Sequence, residues 1–270
     1  MARATSEDGT VGKALEVLDQ VAAFGRPVRF SELLAASPFP KATLYRFVQT
    51  LTNQGMLAFD AERQTYAPGL RLVRLAHTAW EQSSLAPVAR PMIDQLSEQL
   101  GETVHLAQLD HGHVLYVDKR NAADPIEMFS QAGRVGPAYC TGVGKAMLAH
   151  LDEGELERVL AMQSFHRFTE KTFTTAAALR TELAAIRTRG HAYDDEEHEV
   201  GIICIAMPIL TRTKRVLGAL SVTTSTDRNS LGGLDRLAPD LRQTARAIAE
   251  EADSWRFPEE TRSTHRAGAA

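Results

Sequence analysis

Cysteine is scarce in this chain, with two residues among 270. So few cysteines argue against a disulfide framework and fit a reducing compartment. Long apolar runs are missing as well. The first residues, MARATSEDGTVGKALEV, hold no signal-peptide core, and no stretch approaches the roughly 18 apolar residues of a membrane span. We therefore expect a soluble, cytoplasmic protein with no membrane partner.

A strong excess of charge of either sign is also missing. The net charge is −4, so the overall composition indicates neither a nucleic-acid-binding protein nor an acidic disordered one. The hydrophobic content of 44% and the charged content of 24% are those of an ordinary globular protein. At 270 residues the chain is long enough for two domains.

One local absence is more informative, because residues 40–54 contain no Asp or Glu. Their pattern predicts a helix that buries Leu44, Phe47, Val48 and Leu51 on one stripe. The other side and its flanks carry hydroxyls, amides and a cation, namely Thr43, Tyr45, Arg46, Gln49, Thr50 and Asn53. Such a surface suits a partner that repels carboxylates.

The neighbouring elements indicate what that partner is. The pattern predicts a helix over 11–24, a short helix from Ser31, a third helix whose first turn contains Pro40, and a hairpin with its turn at 60–64. This order is that of a winged helix-turn-helix over residues 1–68, with the helix-turn-helix at about 31–54 and the wing at about 56–67. In that fold the third helix enters the major groove of DNA, where phosphates repel acids.

A solvated helix on a core is the alternative for the third helix, and net charge does not decide between the two. Residues 1–67 hold seven Lys or Arg and seven Asp or Glu. On the DNA hypothesis, Arg46 and Gln49 have the bidentate reach to read guanine and adenine, and Arg63 in the hairpin turn meets phosphates or the minor groove. The predicted DNA-binding residues are Lys41, Thr43, Tyr45, Arg46, Gln49 and Arg63.

Beyond the hairpin, the pattern predicts a linker helix over 69–86 and an α+β domain with an antiparallel sheet over 87–256. Predicted helices occupy 89–101, 141–151, 153–162, 176–189 and 234–255, and predicted strands occupy 103–109, 113–119, 125–130, 201–210 and 216–224. Residues 257–270 show no periodicity, which predicts a disordered tail.

The linker helix carries an apolar stripe, Leu72, Leu75 and Ala79, with no core of its own nearby. Pairing with the same helix of a second chain would bury the stripe and hold two reading helices at a fixed spacing. This predicts a homodimer, or a dimer of dimers, on an inverted repeat. Packing of the stripe on the chain's own second domain is the alternative.

Two motifs invite catalytic or phosphate-binding interpretations. TGVGKA is not a phosphate loop, since Tyr139 stands where a glycine is required and Ala146 where Ser or Thr is required. Gly142 and Gly144 at a helix start fit either a small anion site or close packing. Cys140 beside that helix start is a possible nucleophile, but the spacing pairs no histidine with it, so a buried cysteine is favoured.

The acidic block DDEEHE, residues 194–199, lies near Cys204 and raises the possibility of a metal site. Its spacing matches no helix-borne ligand pair, and a run of acids is more typical of a solvated turn. We therefore predict no catalytic residue, no metal and no cofactor. A GAF-like metal protein or enzyme with an N-terminal interaction module is the rival hypothesis, and a pure protein-interaction module is a weaker one.

Four segments carry a family resemblance: residues 12–57, CTGVGKAMLAHL, GHAYDDEEHEVGIICIAMPIL and GALSVTT. In order and spacing they resemble the IclR family of bacterial transcriptional regulators over roughly residues 10–255. The resemblance implies an α+β two-domain fold, with a winged helix, a linker helix and a GAF-like effector-binding domain. It also implies a regulator that binds operator DNA as dimers or pairs of dimers and responds to a small molecule.

The resemblance further implies an effector pocket lined by Gly142, Val143, Asp194, Cys204, Ser221, Thr223 and Met128. Backbone amides at Gly142 and Val143 suit a carboxylate, while the hydroxyls of Ser221 and Thr223 both donate and accept hydrogen bonds. Asp194 is expected to repel a second anion. The predicted effector is therefore an organic acid whose other end is a hydroxyl or keto-alcohol.

Overall fold

The structure, a computed structural model, describes residues 9–254, so the tail predicted at 257–270 lies outside it. The chain divides between Ala79 and Trp80 into two units. Among the described residues, no helix is both long and apolar enough to cross a membrane.

The first unit is a small helical domain with a three-stranded antiparallel sheet in the order β1-β3-β2. Its elements are α1 (Gly9–Ala23), β1 (Val28–Arg29), α2 (Phe30–Ala36), α3 (Lys41–Asn53), β2 (Leu57–Asp60) and β3 (Thr65–Pro68). The apolar stripe of α3, from Leu44 to Leu51, is buried against α1 and the sheet, as helical periodicity predicts. The predicted winged helix-turn-helix is confirmed.

Two local features of this unit differ from the prediction. Pro40 is the N-cap residue of α3 and not part of its first turn. The strand β1 was missed, because two residues are too few to display an alternation. It pairs with β3 through Val28 opposite Tyr66 and thereby ties the helices to the wing.

The helix α4 (Leu70–Ser83) follows the wing directly. At its start, the Gly69 N–H donates to the Met56 carbonyl at 2.8 Å. A Cβ on Gly69 would overlap the Gly55 backbone, so this turn requires glycine. Arg71 Nη1 donates to the Gln54 carbonyl at 2.9 Å, and Leu72 packs against the core of the first unit. Leu72 therefore does have a core nearby, contrary to the prediction.

The second unit is an α+β domain around a six-stranded antiparallel sheet in the order β6-β5-β4-β9-β8-β7. Its strands are β4 (Thr103–Asp110), β5 (His113–Arg120), β6 (Val135–Pro137), β7 (Ala192–Asp195), β8 (Ile202–Leu210) and β9 (Val216–Ser225). Its helices are α5 (Ala86–Leu100), α6 (Gly142–Leu148), α7 (Glu153–Met162), α8 (Ala176–Arg189), α9 (Leu231–Leu234) and α10 (Ala238–Ser254), with a 3-10 turn at Asp235–Leu237. Pro87 lies in the first turn of α5, where its missing N–H is harmless, so the helix predicted at 89–101 begins earlier, at Ala86.

Helices cover both faces of this sheet, and the alternation along β8 shows why. Ile203 and Ile205 face the cluster formed with α5 and α10, whereas Ala206 faces α6. The side chains on the α6 face are small, including Ala206 and Ala219, so α6 approaches the strands closely. The predicted α+β class is confirmed.

Two predicted elements of the second unit need correction, and two short strands were not predicted. Residues 125–130 are irregular and not a strand, because the Phe129 N–H is bound to the Glu199 carboxylate at 2.9 Å and not to a neighbouring strand. The strand β6 pairs with β5 in that place. The edge strand β7 was missed, since its acids obscure any apolar alternation. The helix predicted at 234–255 begins four residues later, at Ala238.

Candidate functional site

The outer face of α3 is exposed along its first half. Lys41, Tyr45 and Arg46 are exposed, with Tyr45 at 53%, while Thr43 and Gln49 are half-buried. These five residues are those predicted to contact DNA from this helix. The structure brings them together on one surface.

Neighbouring side chains orient this surface without neutralising it. Tyr45 packs edge-on against Phe30 with ring centroids 5.8 Å apart, and the Arg46 guanidinium lies 5.6 Å from the centre of the Phe47 ring. In the described part of the chain Arg46 takes part in no ion pair. The half-buried Gln49 side chain lies beside the Tyr66 hydroxyl.

The wing presents Arg63 at its tip. Asp60 Oδ1 accepts the N–H groups of Glu62 at 2.9 Å and Arg63 at 3.1 Å, which fixes the turn, and Gln64 closes it with a φ of 55°. The Arg63 side chain is exposed. The turn also exposes Glu62, so its charge is mixed.

In the second unit, a cavity of about 30 Å³ lies between the start of α6 and the sheet. It is lined by His105, Tyr116, Phe129, Ser130, Thr141, Gly142, Val143, Asp194, His198, Glu199, Ile202, Cys204, Ser221 and Thr223. Six of the seven residues predicted for the effector pocket are in this set. Met128 is buried but does not line the cavity, because its segment is irregular and presents Phe129 and Ser130 instead.

The strand side of the cavity follows from register. Ser221 and Thr223 are two apart on β9 and share a face. Thr223 lies opposite Cys204 on β8, and Ser221 lies opposite His105 on β4. Three adjacent strands therefore supply two hydroxyls, a thiol and an imidazole to one patch.

His105 is the centre of a buried hydrogen-bond chain. Its Nε2 lies 2.8 Å from Ser130 Oγ, and its Nδ1 lies 3.2 Å from Thr223 Oγ1. Burial lowers the pKa of His105 to about 3, so the imidazole is neutral at physiological pH. A neutral imidazole donates from one nitrogen and accepts at the other, so one hydroxyl gives it a proton and the other receives one.

Gly142 and Gly144, at the start of α6, are required for packing. A Cβ on Gly142 would overlap Cys204 Sγ, and a Cβ on Gly144 would overlap the backbone of Ala138. The Thr141 hydroxyl donates to the Pro137 carbonyl at 2.8 Å and does not cap the helix. Close packing is thus the interpretation with direct support, and an anion site at these amides stays a prediction.

Asp194 lies at the buried end of β7, beside the cavity. Its Oδ1 accepts the Glu197 N–H at 2.8 Å. Burial first, and then the charge of Glu197, raise the pKa of Asp194 to about 8. Asp194 is therefore largely protonated at neutral pH, which removes the reason for expecting it to repel an anion.

The rest of the acidic block is tied to the protein and is not a solvated turn. Glu197 forms a buried ion pair with Lys145, whose Nζ also lies 4.9 Å from the centre of the Phe173 ring. Lys171 Nζ pairs with Asp195 at 2.8 Å and with Glu196 at 2.6 Å. Within residues 9–254, no group of three or more His, Cys, Asp or Glu is arranged to hold a metal ion.

Comparisons with known proteins match both units. The family "Bacterial transcriptional regulator IclR C-terminal" matches residues 77–250, and the "IclR helix-turn-helix domain" matches residues 10–61. The chain belongs to the IclR family. It is a DNA-binding transcriptional regulator.

Individual relatives span nearly the whole chain. The HTH-type transcriptional regulator KdgR of Escherichia coli is 32% identical over 251 residues, covering 92% of this chain and 95% of KdgR. The crystal structure of Thermotoga maritima IclR has a TM-score of 0.71 at 27% identity and covers 90% of this chain and 98% of its own. An IclR homolog from Microbacterium hydrocarbonoxydans, complexed with 4-hydroxybenzoate, has a TM-score of 0.78 at 22% identity. The match covers 91% of this chain and 100% of that one.

The two cysteines of this IclR-family regulator are free and buried. Burial raises the pKa of both thiols well above the ordinary value. Neither has the depressed pKa of a nucleophilic cysteine, so the structure favours the packing interpretation of Cys140.

Sequence reasoning missed eight of the residues that line the cavity. Alternation could have placed His105 and Tyr116, which lie on sheet strands. Phe129, His198 and Glu199 lie on irregular segments, where no periodic signal exists.

Proposed function

We propose that this IclR-family regulator reads operator DNA with the exposed face of α3 and changes its DNA binding when a small organic acid occupies the cavity beside α6. The observation that supports the second part is the convergence of Gly142, Asp194, Cys204 and Ser221, from four elements, on one polar cavity. An effector acts by binding one arrangement of the protein better than another.

For DNA, Lys41, Thr43, Tyr45, Arg46 and Gln49 are the proposed reading residues. Arg46 has the strongest case, because its guanidinium is exposed and held over Phe47. A planar guanidinium held in place pairs well with the two acceptors of guanine. Arg63 at the wing is the proposed phosphate contact.

For the effector, the cavity offers hydroxyls and neutral groups more than charges. Ser130, Ser221 and Thr223 supply hydroxyls, and His105 is neutral. Glu199 at the cavity edge has a pKa lowered by His198, whose Nδ1 lies 3.6 Å away, and by the hydrogen bond from the Phe129 N–H, so it is ionised at neutral pH. Glu199, and not Asp194, is then the group that disfavours a second anion. A single carboxylate with a hydroxyl or keto-alcohol end fits this set.

The size of the cavity adds a requirement. At about 30 Å³ the cavity is small, and polar groups that line it are already hydrogen-bonded to each other, as His105 is to Ser130 and Thr223. A ligand that bonds these groups has to displace hydrogen bonds that are already made. A ligand that rearranges the groups around it is suited to act as an allosteric effector.

Calorimetric titration with small hydroxy and keto acids, including 4-hydroxybenzoate, tests this assignment. A Gly142→Leu variant is unsuitable, because the added side chain would overlap Cys204. A Ser221→Ala/Thr223→Val variant removes both hydroxyls at little cost in volume, and Thr181→Val on the exposed face of α8 is its control. An acid that binds the parent and the double variant equally well would contradict the placement.

We also propose a homodimer that binds an inverted repeat, paired through α4. Leu75, 50% exposed, and Ala79, also exposed, lie one turn apart on the predicted stripe. Leu75→Asp/Ala79→Asp should dissociate the dimer in sedimentation experiments, whereas Val73→Asp, on the other side of the same helix, should not. A parent protein that is monomeric at DNA-binding concentrations would refute this proposal.

Sequencing of the DNA bound across the genome tests the reading face. It supplies the operator, and the neighbouring genes indicate the pathway from which the effector comes. In Arg46→Ala the preference at one base position of each half-site should be relaxed, whereas Lys13→Ala, which removes an exposed cation on α1, should select the same operator as the parent.

A further inference from the structure

The residues that line the cavity differ in exposure. Those on β4, β5, β9 and α6 are buried. Phe129, His198, Glu199 and Ile202 are half-buried. These four residues therefore form the side of the lining that is nearest to solvent.

Three rings close that side, and together they form what is here termed the ring stack. Phe129 and His198 line the cavity and lie with their centroids 5.0 Å apart. Phe168 covers His198 from outside, with centroids 4.6 Å apart, and is itself 44% exposed. The stack thus runs from the cavity to the solvent.

The three rings come from three segments without helix or strand, residues 121–134, 163–175 and 196–201. Several polar contacts join segments 163–175 and 196–201: the Thr169 and Thr172 hydroxyls donate to the Glu196 and Glu197 carbonyls at 2.7 and 2.6 Å, and Lys171 pairs with Glu196 at 2.6 Å. Segment 121–134 is joined to 196–201 by the Phe129 N–H, which donates to Glu199 Oε1 at 2.9 Å. The remaining walls belong to the sheet and α6, whose separation would break a packed core. Opening between Phe129 and His198 therefore breaks less packing than opening at any of those walls.

We propose that the ring stack is the entrance of the cavity and the size filter that decides which molecules reach it. This inference rests on the proposed role of the cavity as the effector site. Phe129 and His198 have to separate for a molecule to enter, and Phe168 holds His198 in the closed position. Phe168 is thus a specificity-determining residue although it does not line the cavity.

The protein contains its own reporter for this entrance. Cys204 lines the cavity and is 5% exposed, whereas Cys140 is fully buried in the core of the same unit and does not line it. A reagent that passes the ring stack reaches Cys204, while a reagent that requires unfolding of the unit reaches both cysteines. The backgrounds Cys140→Ala and Cys204→Ala separate the two rates.

The experiment measures thiol modification by two uncharged reagents, the small methyl methanethiosulfonate and the bulkier aromatic 4,4′-dithiodipyridine. In Phe168→Ala, loss of the ring contacts with His198 and His166 should raise the rate at Cys204 by about fivefold for the bulky reagent. The rise for the small reagent should be smaller, so the size selectivity falls. The rate at Cys140 should not change.

Val200→Ala is the matched control, since Val200 is on the same 196–201 turn, is 78% exposed and is outside the ring stack. It should leave every rate as in the parent. Phe129→Ala is a second test, because it removes the ring on the cavity side and should act like Phe168→Ala.

An equal rise at both cysteines in Phe168→Ala would mean that the ring only stabilises the unit, and an unchanged rate at Cys204 in both variants would place the entrance elsewhere. Either result overturns the proposal. The labelling needs no effector, so failure of every acid to bind would count against the proposed function and leave this measurement standing.

Discussion

The reading face of α3 and the cavity beside α6 hold their polar side chains in opposite ways. On α3, Arg46 is exposed and, within the described residues, is in no ion pair. In the cavity wall, both nitrogens of His105 already have hydroxyl partners. Lys145, on α6, forms a buried ion pair with Glu197. A partner of α3 gains new contacts, whereas a ligand of the cavity has to exchange existing ones.

This difference determines what a substitution should disturb. A substitution on the exposed face of α3 should weaken DNA binding and leave the free energy of unfolding unchanged. A substitution around the cavity should also lower the free energy of unfolding, because the polar groups there are part of the core. Four variants test the contrast, from the largest expected effect to the smallest.

Lys145→Met should produce the largest loss. It leaves the buried Glu197 carboxylate without its cation, which typically costs about 3–5 kcal/mol of unfolding free energy. Urea unfolding measures the loss. Arg180→Met is the control, because Arg180 pairs with Glu153 and Glu157 at the surface, where such pairs contribute about 0–1 kcal/mol.

A double variant sharpens the same test. Lys145→Met/Glu197→Leu removes both charges together and should recover much of the stability lost in Lys145→Met. If the single and double variants are equally unstable, the loss comes from packing and the charge contrast between the two regions is wrong.

Asp194→Asn should change how stability depends on pH. The pKa of Asp194 is raised in the folded state to about 8, so the folded state binds its proton more tightly than the unfolded state does. Stability from this group is therefore present at about pH 4 and is lost as pH rises toward 8. Asn carries no such proton, so the fall, expected to be on the order of a few kcal/mol, should be absent from the variant.

Thermal unfolding of the parent and Asp194→Asn from pH 5 to pH 8 measures that difference. His105 has the opposite effect on stability, because its pKa in the folded state is lowered to about 3. Its contribution to stability is lost as pH falls below the pKa that it has in the unfolded state. That contribution is common to both proteins and cancels in the comparison. Parallel stability curves would show that Asp194 is ionised in the folded protein.

The same contrast explains which parts of the structure could be predicted from the sequence. On α3, the spacing of Leu44, Phe47, Val48 and Leu51 sets the buried stripe, and the exposed face is whatever remains. Local periodicity is enough there. Cavity residues on strands, such as Ser221 and Thr223, are also placed on one face by alternation.

Residues on irregular segments escaped that logic. Phe129 is positioned by a bond to Glu199, 70 residues away, and Lys145 by a pair with Glu197, 52 residues away. No local pattern encodes such contacts. Two wrong predictions have the same cause, namely the strand at 125–130 and Met128 as a cavity wall. Alternation does not apply to a segment whose position is set by side-chain contacts.

Arg46→Ala should have an intermediate effect, confined to DNA. Loss of a base contact costs roughly 1–3 kcal/mol of binding free energy and relaxes the preference at one position in each half-site. Binding to operators with single-base changes measures it, with urea unfolding expected to be unchanged. Arg26→Ala is the control. Arg26 is in the same unit but not on α3, and its guanidinium lies 2.7 Å from the Glu32 carboxylate. Uniform weakening on every sequence would make Arg46 a backbone clamp.

Arg63→Ala should have the smallest effect. The Arg63 side chain is exposed at the wing, and its backbone N–H is held by Asp60, so the variant keeps the turn and loses only a cation. A lost phosphate contact weakens all sequences nearly equally and lowers the slope of log affinity against log salt by about one unit. Fluorescence anisotropy at several salt concentrations measures both quantities. Because Glu62 adds a negative charge beside it, Glu62→Gln should strengthen binding and serve as the opposite control. A change in base preference in Arg63→Ala, with the salt slope unchanged, would mean that the wing reads bases in the minor groove and does not clamp the phosphates.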